Sequence, residues 1–158
     1  MQFHTARGQA QLSSGDVKGS LATLERALEL SPRNIPVTVR YGEALLQAGR
    51  PKRAHEVLLD LFNNVPPSMA QVRLTAIAAN AAGDVADAYS YMAEYHVMSG
   101  DLMLAISQLE LALSLPSLTD VQRARFASRL KELREALPPR TRSSQPPQSA
   151  GSGPNPNR

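Results

Sequence analysis

Cysteine and tryptophan are both absent from the chain. Without thiols there is no disulfide framework, no thiolate metal site and no cysteine nucleophile. Aromatic side chains are few, three Phe and four Tyr in 158 residues, which leaves little for stacking on nucleic-acid bases. No apolar run approaches the ~20 residues that span a bilayer. The opening residues MQFHTARGQAQLSSG lack the basic-then-apolar layout of a secretion signal. Nor is there the strict apolar–polar alternation that marks a strand. Charge of one sign is missing from most of the chain as well. The formal net charge is +3, yet residues 1–137 carry 14 Lys/Arg and 14 Asp/Glu, and Arg140, Arg142 and Arg158 supply the excess. A nucleic-acid-binding fold concentrates basic charge instead. There is no HExxH, no GxSxG and no glycine-rich phosphate loop, so the chain is read as non-enzymatic and free of cofactors.

Helical patterns fill the space that these absences leave. Leu21, Leu24, Ala27 and Leu28 recur at spacings of three and four, the mark of an amphipathic helix face. The first pair of helices is predicted over 2–13 and 17–30, separated by Gly15-Asp16. A second pair spans about 35–48 and 51–62, with Asn34 as cap, Gly49 as breaker and Pro36 and Pro51 in first turns. Ser68 with Gln71 is a capping box that opens 69–82, and Gly83-Asp84 leads into 85–98. A strongly amphipathic helix follows Gly100-Asp101 and is closed by Pro116. Thr119 with Gln122 opens the last helix, 120–136, which carries Phe126, Leu130 and Leu133 on one face and a run of charges on the other. That makes about eight antiparallel helices and one domain, 1–137. Residues 138–158 hold six Pro, no acidic residue and nothing apolar larger than Ala150. Such a composition cannot offset the entropy of ordering, and a disordered tail is expected.

The helices repeat. Gly15, Gly49 and Gly83 are 34 residues apart, as are Gly8 and Gly42, and Pro32 and Pro66. Gly100 follows Gly83 after 17, half that period. A helix–turn–helix period of 34 resembles the tetratricopeptide repeat (TPR) family. Small residues fall at slots eight and twenty of the repeat (Gly8 and Ser20, then Gly42 and Ala54), where two helices approach closely. The resemblance implies an all-α, right-handed superhelix of helical hairpins. Helix 85–98 fits two registers: as a second helix counted from Gly83, through Ala88 and Met92, and as a first helix counted back from Gly100, through Ala93, Ala105 and Leu109. Two narrower runs, AYSYMAEYHVMSGDLMLAISQLELAL and YGEALLQAGRPKRA, resemble the C-terminal repeats of periplasmic zinc metallopeptidases of the BepA type. That likeness implies a docking region whose HExxH domain, and any zinc, lies upstream in a longer parent, with a periplasmic location. Otherwise the chain is a cytoplasmic, standalone adaptor or assembly factor.

In the TPR family the concave face is lined from first helices. Here its positions give Gln2, Thr5, Gln9 and Ser13; then Pro36, Val39, Glu43 and Gln47; then Arg73, Ile77 and Ala81, with Arg40 and Asn80 beside them. In the half-period register Ser90, Glu94 and Met98 join them. The resemblance therefore assigns protein or peptide binding to Gln9, Ser13, Arg40, Glu43, Gln47, Arg73, Asn80 and Glu94. Gln9 and Glu43 stand where the family's carboxylate clamp has Asn, so capture of an acidic C-terminus is disfavoured. His4, His55 and His96 lack the i, i+4 spacing of a helical metal site and read as packing or surface residues. Asp16, Asp84, Asp87 and Asp101 sit in helix first turns, where they cap and oppose the dipole. Met92, Met98 and Met103 are expected to fill core gaps, with the lining of an adaptable peptide groove as the alternative. The charged face of the last helix reads as the solvated side of a terminal cap, with nucleic acid or an anionic membrane as the alternative partner of another class.

Overall fold

The computed structural model describes residues 2–32 and 34–138, with the side chains of residues 2 and 3 left out. The expectation for the Gln2 side chain, and that for residues 139–158 of the disordered tail, therefore lie outside the described residues. Eight helices follow one another: α1 (Gln2–Ser13), α2 (Val17–Leu30), α3 (Ile35–Gln47), α4 (Pro51–Asn64), α5 (Met69–Ala82), α6 (Val85–Met98), α7 (Leu102–Ser114) and α8 (Asp120–Ala136). No strand occurs among the described residues. Helix α4 runs two residues past the expected end. There the Asn64 side-chain amide donates to the Asp60 carbonyl one turn back, at 2.7 Å.

Two kinds of connection alternate, and the order in which they come sets the architecture. Gly15, Gly49, Gly83 and Gly100 all have positive φ, between 70° and 93°. In each case the next N–H returns to a carbonyl five residues back: Asp16 to Gln11, Arg50 to Leu45, Asp84 to Ala79 and Asp101 to His96. This left-handed cap turns the chain within two residues, and glycine adopts it without strain. The other connections pass through proline segments and end on a capping side chain: Asn34 to the Val37 N–H, Ser68 to Gln71, Thr119 to Gln122. Glycine and proline turns alternate as far as Gly83. Then two glycine turns come in succession, at Gly83 and Gly100. Helix α6 thus closes one hairpin and opens the next. Both of its small slots are filled and buried, Ala88 in the first register and Ala93 in the second.

Each helix packs on its neighbours in sequence, and α3 also meets α1 and α5, so these three share a layer. Side-chain bonds join α4, α6 and α8 across the other layer: His55 to Asp84, Asp87 to Arg125, Glu94 to Arg129. Inside a hairpin, close approach depends on the absence of a side chain. A Cβ on Gly8 would lie 2.8 Å from Leu24 Cγ, and one on Gly42 would lie 2.9 Å from Leu58 Cγ. Ser20, fully buried, donates its hydroxyl to the Gly8 carbonyl at 2.9 Å. The apolar interior forms two bodies. One is built from Leu24, Val37, Tyr41, Leu45 and Leu58 with their neighbours; the other from Ile106, Leu109, Phe126, Leu130 and Leu133. Between them α5 and α6 pack on each other, and their buried residues include the small Thr75, Ala76, Ala79 and Ala88.

Candidate partner-binding site

Between α3 and α5 runs an open groove of about 660 Å³. Its apolar floor is Ile35, Pro36, Val39, Leu74 and Ile77, and Ile77 stays 48% exposed. Asn34 starts α3 and the Ser68 capping box starts α5, so both helices present their N-terminal halves here. Arg40, Glu43 and Arg73 stand over the floor. Arg40 and Glu43 are bonded to each other at 2.7 Å, one turn apart and each about one-third exposed. Arg73 is exposed and has no ion-pair partner among the described residues. Gln47 and Asn80 continue the same two helices and are exposed. Gln9 and Ser13 occupy the matching positions on α1, where the Ser13 hydroxyl donates to the Gln9 carbonyl. The array can offer an apolar strip, amide side chains and a cation to an extended chain.

Seven of the eight site residues named from the sequence thus lie on α1, α3 and α5. Glu94 does not. It belongs to α6, in the other layer, and both its carboxylate oxygens accept from Arg129 of α8, at 2.8 and 2.9 Å. The physical reason is the second glycine turn, which carries the half-period register into the opposite layer.

Three further expectations are corrected. Asp84 does not cap α6; its carboxylate accepts instead from His55 across the layer, at 2.9 Å. Asp16 and Asp101, at the same place after their glycines, do cap, to Gly19 and Leu104. Met98 and Met103 do not fill the core, being 44% and 54% exposed. The charges of α8 are not merely solvated. Arg125, Arg129 and Arg134 reach Asp87, Glu94 and Glu110 on the two preceding helices. The bonds from Glu94 and then Glu132 hold the Arg129 pKa above that of an ordinary arginine.

A polar cluster between α4 and α6 escaped the sequence reading. His55 is buried, its Nδ1 against Asp84 and its Nε2 3.3 Å from the Tyr91 hydroxyl. With the ring neutral, Nδ1–H donates to the carboxylate and Nε2 accepts from the phenol. Burial, with the nearby charges of Asp87 and Asp84, pushes the Tyr91 phenol up to about 12. The partners lie 29 and 36 residues from His55; the available signal was a histidine on the inner side of a second helix, facing the Asp of the next glycine turn.

The tetratricopeptide repeat family model matches residues 11–78. No curated protein matches the sequence closely enough to count as a relative. Among solved structures, a MamA double mutant (RS-1 ArsTM) is 17% identical, with a TM-score of 0.59 over 89% of this chain and 76% of that one. A thermophilic TPR protein in Thermus thermophilus is 20% identical over 81% of this chain and 80% of that one, with a TM-score of 0.47. The similarity to MamA is one of fold. With the repeat match over residues 11–78, the four glycine turns and the paired small slots, it gives the chain a TPR-like helical-repeat fold.

Proposed function

We propose that the chain binds an extended segment of a partner protein in the groove between α3 and α5, and does no chemistry of its own. The observation that carries this reading is the groove itself: an apolar floor ending on the exposed Ile77, beneath an Arg40–Glu43 pair and an exposed Arg73. Exposed aliphatic surface in a concave position is costly to leave in water, and a bound segment would cover it. A peptide library displayed against the chain supplies the probe. Ile77→Asp and Arg73→Glu should each weaken the selected peptide at least about tenfold, while the melting temperature stays within about 2 °C, because both side chains are at the surface. Undiminished binding by both variants would remove the groove from the function.

A finer reading places the scaffold as the docking region of a periplasmic zinc metallopeptidase that acts on outer-membrane proteins. Its support is the likeness of residues 88–113 and 41–54 to that family's repeats. An upstream reading frame with a signal peptide and HExxH would sustain it, and a frame with neither would leave the adaptor reading. We take α8 as a terminal cap rather than a nucleic-acid or membrane surface, because Arg125, Arg129 and Arg134 are engaged by carboxylates of α6 and α7.

A further inference from the structure

Because α6 opens a fresh hairpin, the repeat positions that face a partner in the first hairpins fall on the opposite layer after Gly83. Counted from Gly100, they are Ser90, Glu94 and Met98. All three line a cleft of about 440 Å³ that α4 and α8 complete. Its wall holds a half-buried aromatic pair, Phe62 and Tyr91, with ring centroids 5.6 Å apart. Met98 lies over it largely exposed, and Asn63 and Ser90 give its edge hydrogen-bonding groups.

We propose that this cleft is a docking site for the proline-rich segment that follows α8, residues 139–158 of the same chain. Two arguments select that occupant, and neither depends on the α3–α5 groove. The first is chemical. The segment's apolar groups are five prolines and a single Ala, and two of the prolines are adjacent, Pro146-Pro147. Proline rings pack on aromatic faces, proline lacks the N–H that burial would leave unpaired, and the carbonyls accept from polar groups at a groove's edge.

The second is geometric. His55 meets Asp84, Phe62 meets Tyr91, Asp87 meets Arg125 and Glu94 meets Arg129. Residue numbers rise together, so α4, α6 and α8 run in one direction. The chain therefore leaves α8 at Leu137 at the end of the layer where Asn63 and Met98 lie. Arg125, on the cleft wall, is 12 residues before Leu137, or about 18 Å of helix. The eight steps from Pro138 to Pro146 span up to about 28 Å, which lets Pro146-Pro147 return to Phe62 and Tyr91.

The test uses amide resonances in the full chain and in a version ending at Pro138, which keeps all eight helices and both cores. Truncation should move the signals of residues 59–63 and 90–98 and leave those of α1–α3 in place. A synthetic 139–158 peptide added to the truncated chain should restore them, with at least about tenfold weaker binding to Met98→Glu. Met98→Glu in the full chain should reproduce the truncation pattern. No shift in this patch on truncation, or equal restoration by a peptide of scrambled order, would overturn the proposal. So would shifts in the full chain that depend on its concentration, since they would assign the segment to a second copy.

Discussion

The first two hairpins and the last three helices are held together in different ways. At Gly8 and Gly42 the contact is steric: a leucine of the second helix presses on bare backbone of the first, with less than 3 Å left for a Cβ. The ion pairs of that half, Arg40–Glu43 and Arg53–Glu56, stay within single helices and join nothing to anything else. In the last three helices the same slot holds Ala93, and the layer is tied by arginines that cross between helices, to Asp87, Glu94 and Glu110. Close-packed surfaces give way to charges at partly exposed edges. Packing of the first kind fixes helix spacing rigidly, because interiors do not absorb an added methyl group cheaply. The second kind fixes the direction of the helices and responds to salt. The seam between the two, α4 to α6, uses a third device, a buried histidine held from both ring nitrogens.

The steric half should fail hardest. Gly42→Leu must push Leu58 aside in a fully packed interior, at a cost of about 3 kcal/mol. For a domain of this size that lowers the melting temperature by roughly 10 °C. A melting temperature unchanged in thermal denaturation would show that the glycine contact is not what spaces the hairpin.

This contrast also explains what the sequence made legible. The eight helices, their caps at Asn34, Ser68 and Thr119, and the four glycine turns are local, each encoded within about five residues. The face shared by Arg40, Glu43 and Arg73 follows from the 34-residue period, so it was readable as well. What was missed depends on residues far apart in the chain. The Asp84 carboxylate had two partners open to it, its own helix N-terminus and a histidine 29 residues away, and only the assembled layer decides between them. Arg125 and Arg129 find partners 38 and 35 residues back for the same reason. Glu94 was misplaced because a period counted in residues does not say in which layer a helix lands. Two successive glycine turns do say so, once their geometry is known.

The seam offers an intermediate test. Tyr91 is neutral in the fold with its phenol pushed up to about 12, above the ordinary value of 10, chiefly by burial. The sign follows from linkage. A group whose folded pKa is raised stabilises fully below its unfolded pKa, and that contribution is lost as pH rises from about 10 through 12. The melting temperature of the native chain should therefore fall across this window more steeply than that of Tyr91→Phe. The variant should also lose the bond to His55, costing about 1 kcal/mol at neutral pH. Parallel curves for the two chains above pH 10 would mean that Tyr91 ionises without strain, and that the seam between α4 and α6 is open to water.

The smallest effects separate the two kinds of ion pair. Arg129 grips Glu94 with two parallel bonds across α8 and α6, and its side chain is 35% exposed. Arg53 touches Glu56 one turn away, and both side chains are more than 60% exposed. Bidentate geometry between partly buried partners retains more of the Coulomb attraction than a mobile surface pair does. Arg129→Ala should therefore cost about 1 kcal/mol in low salt, and Arg53→Ala no more than about 0.3 kcal/mol. Raising the ionic strength to 1 M shortens the screening length to ~3 Å. It should reduce the first value by roughly half and leave the second near zero. Urea denaturation of the two variants at both salt concentrations makes the comparison directly. Equal and salt-independent costs would mean that α8 is held by Phe126, Leu130 and Leu133 alone, with its arginines contributing direction but no measurable stability.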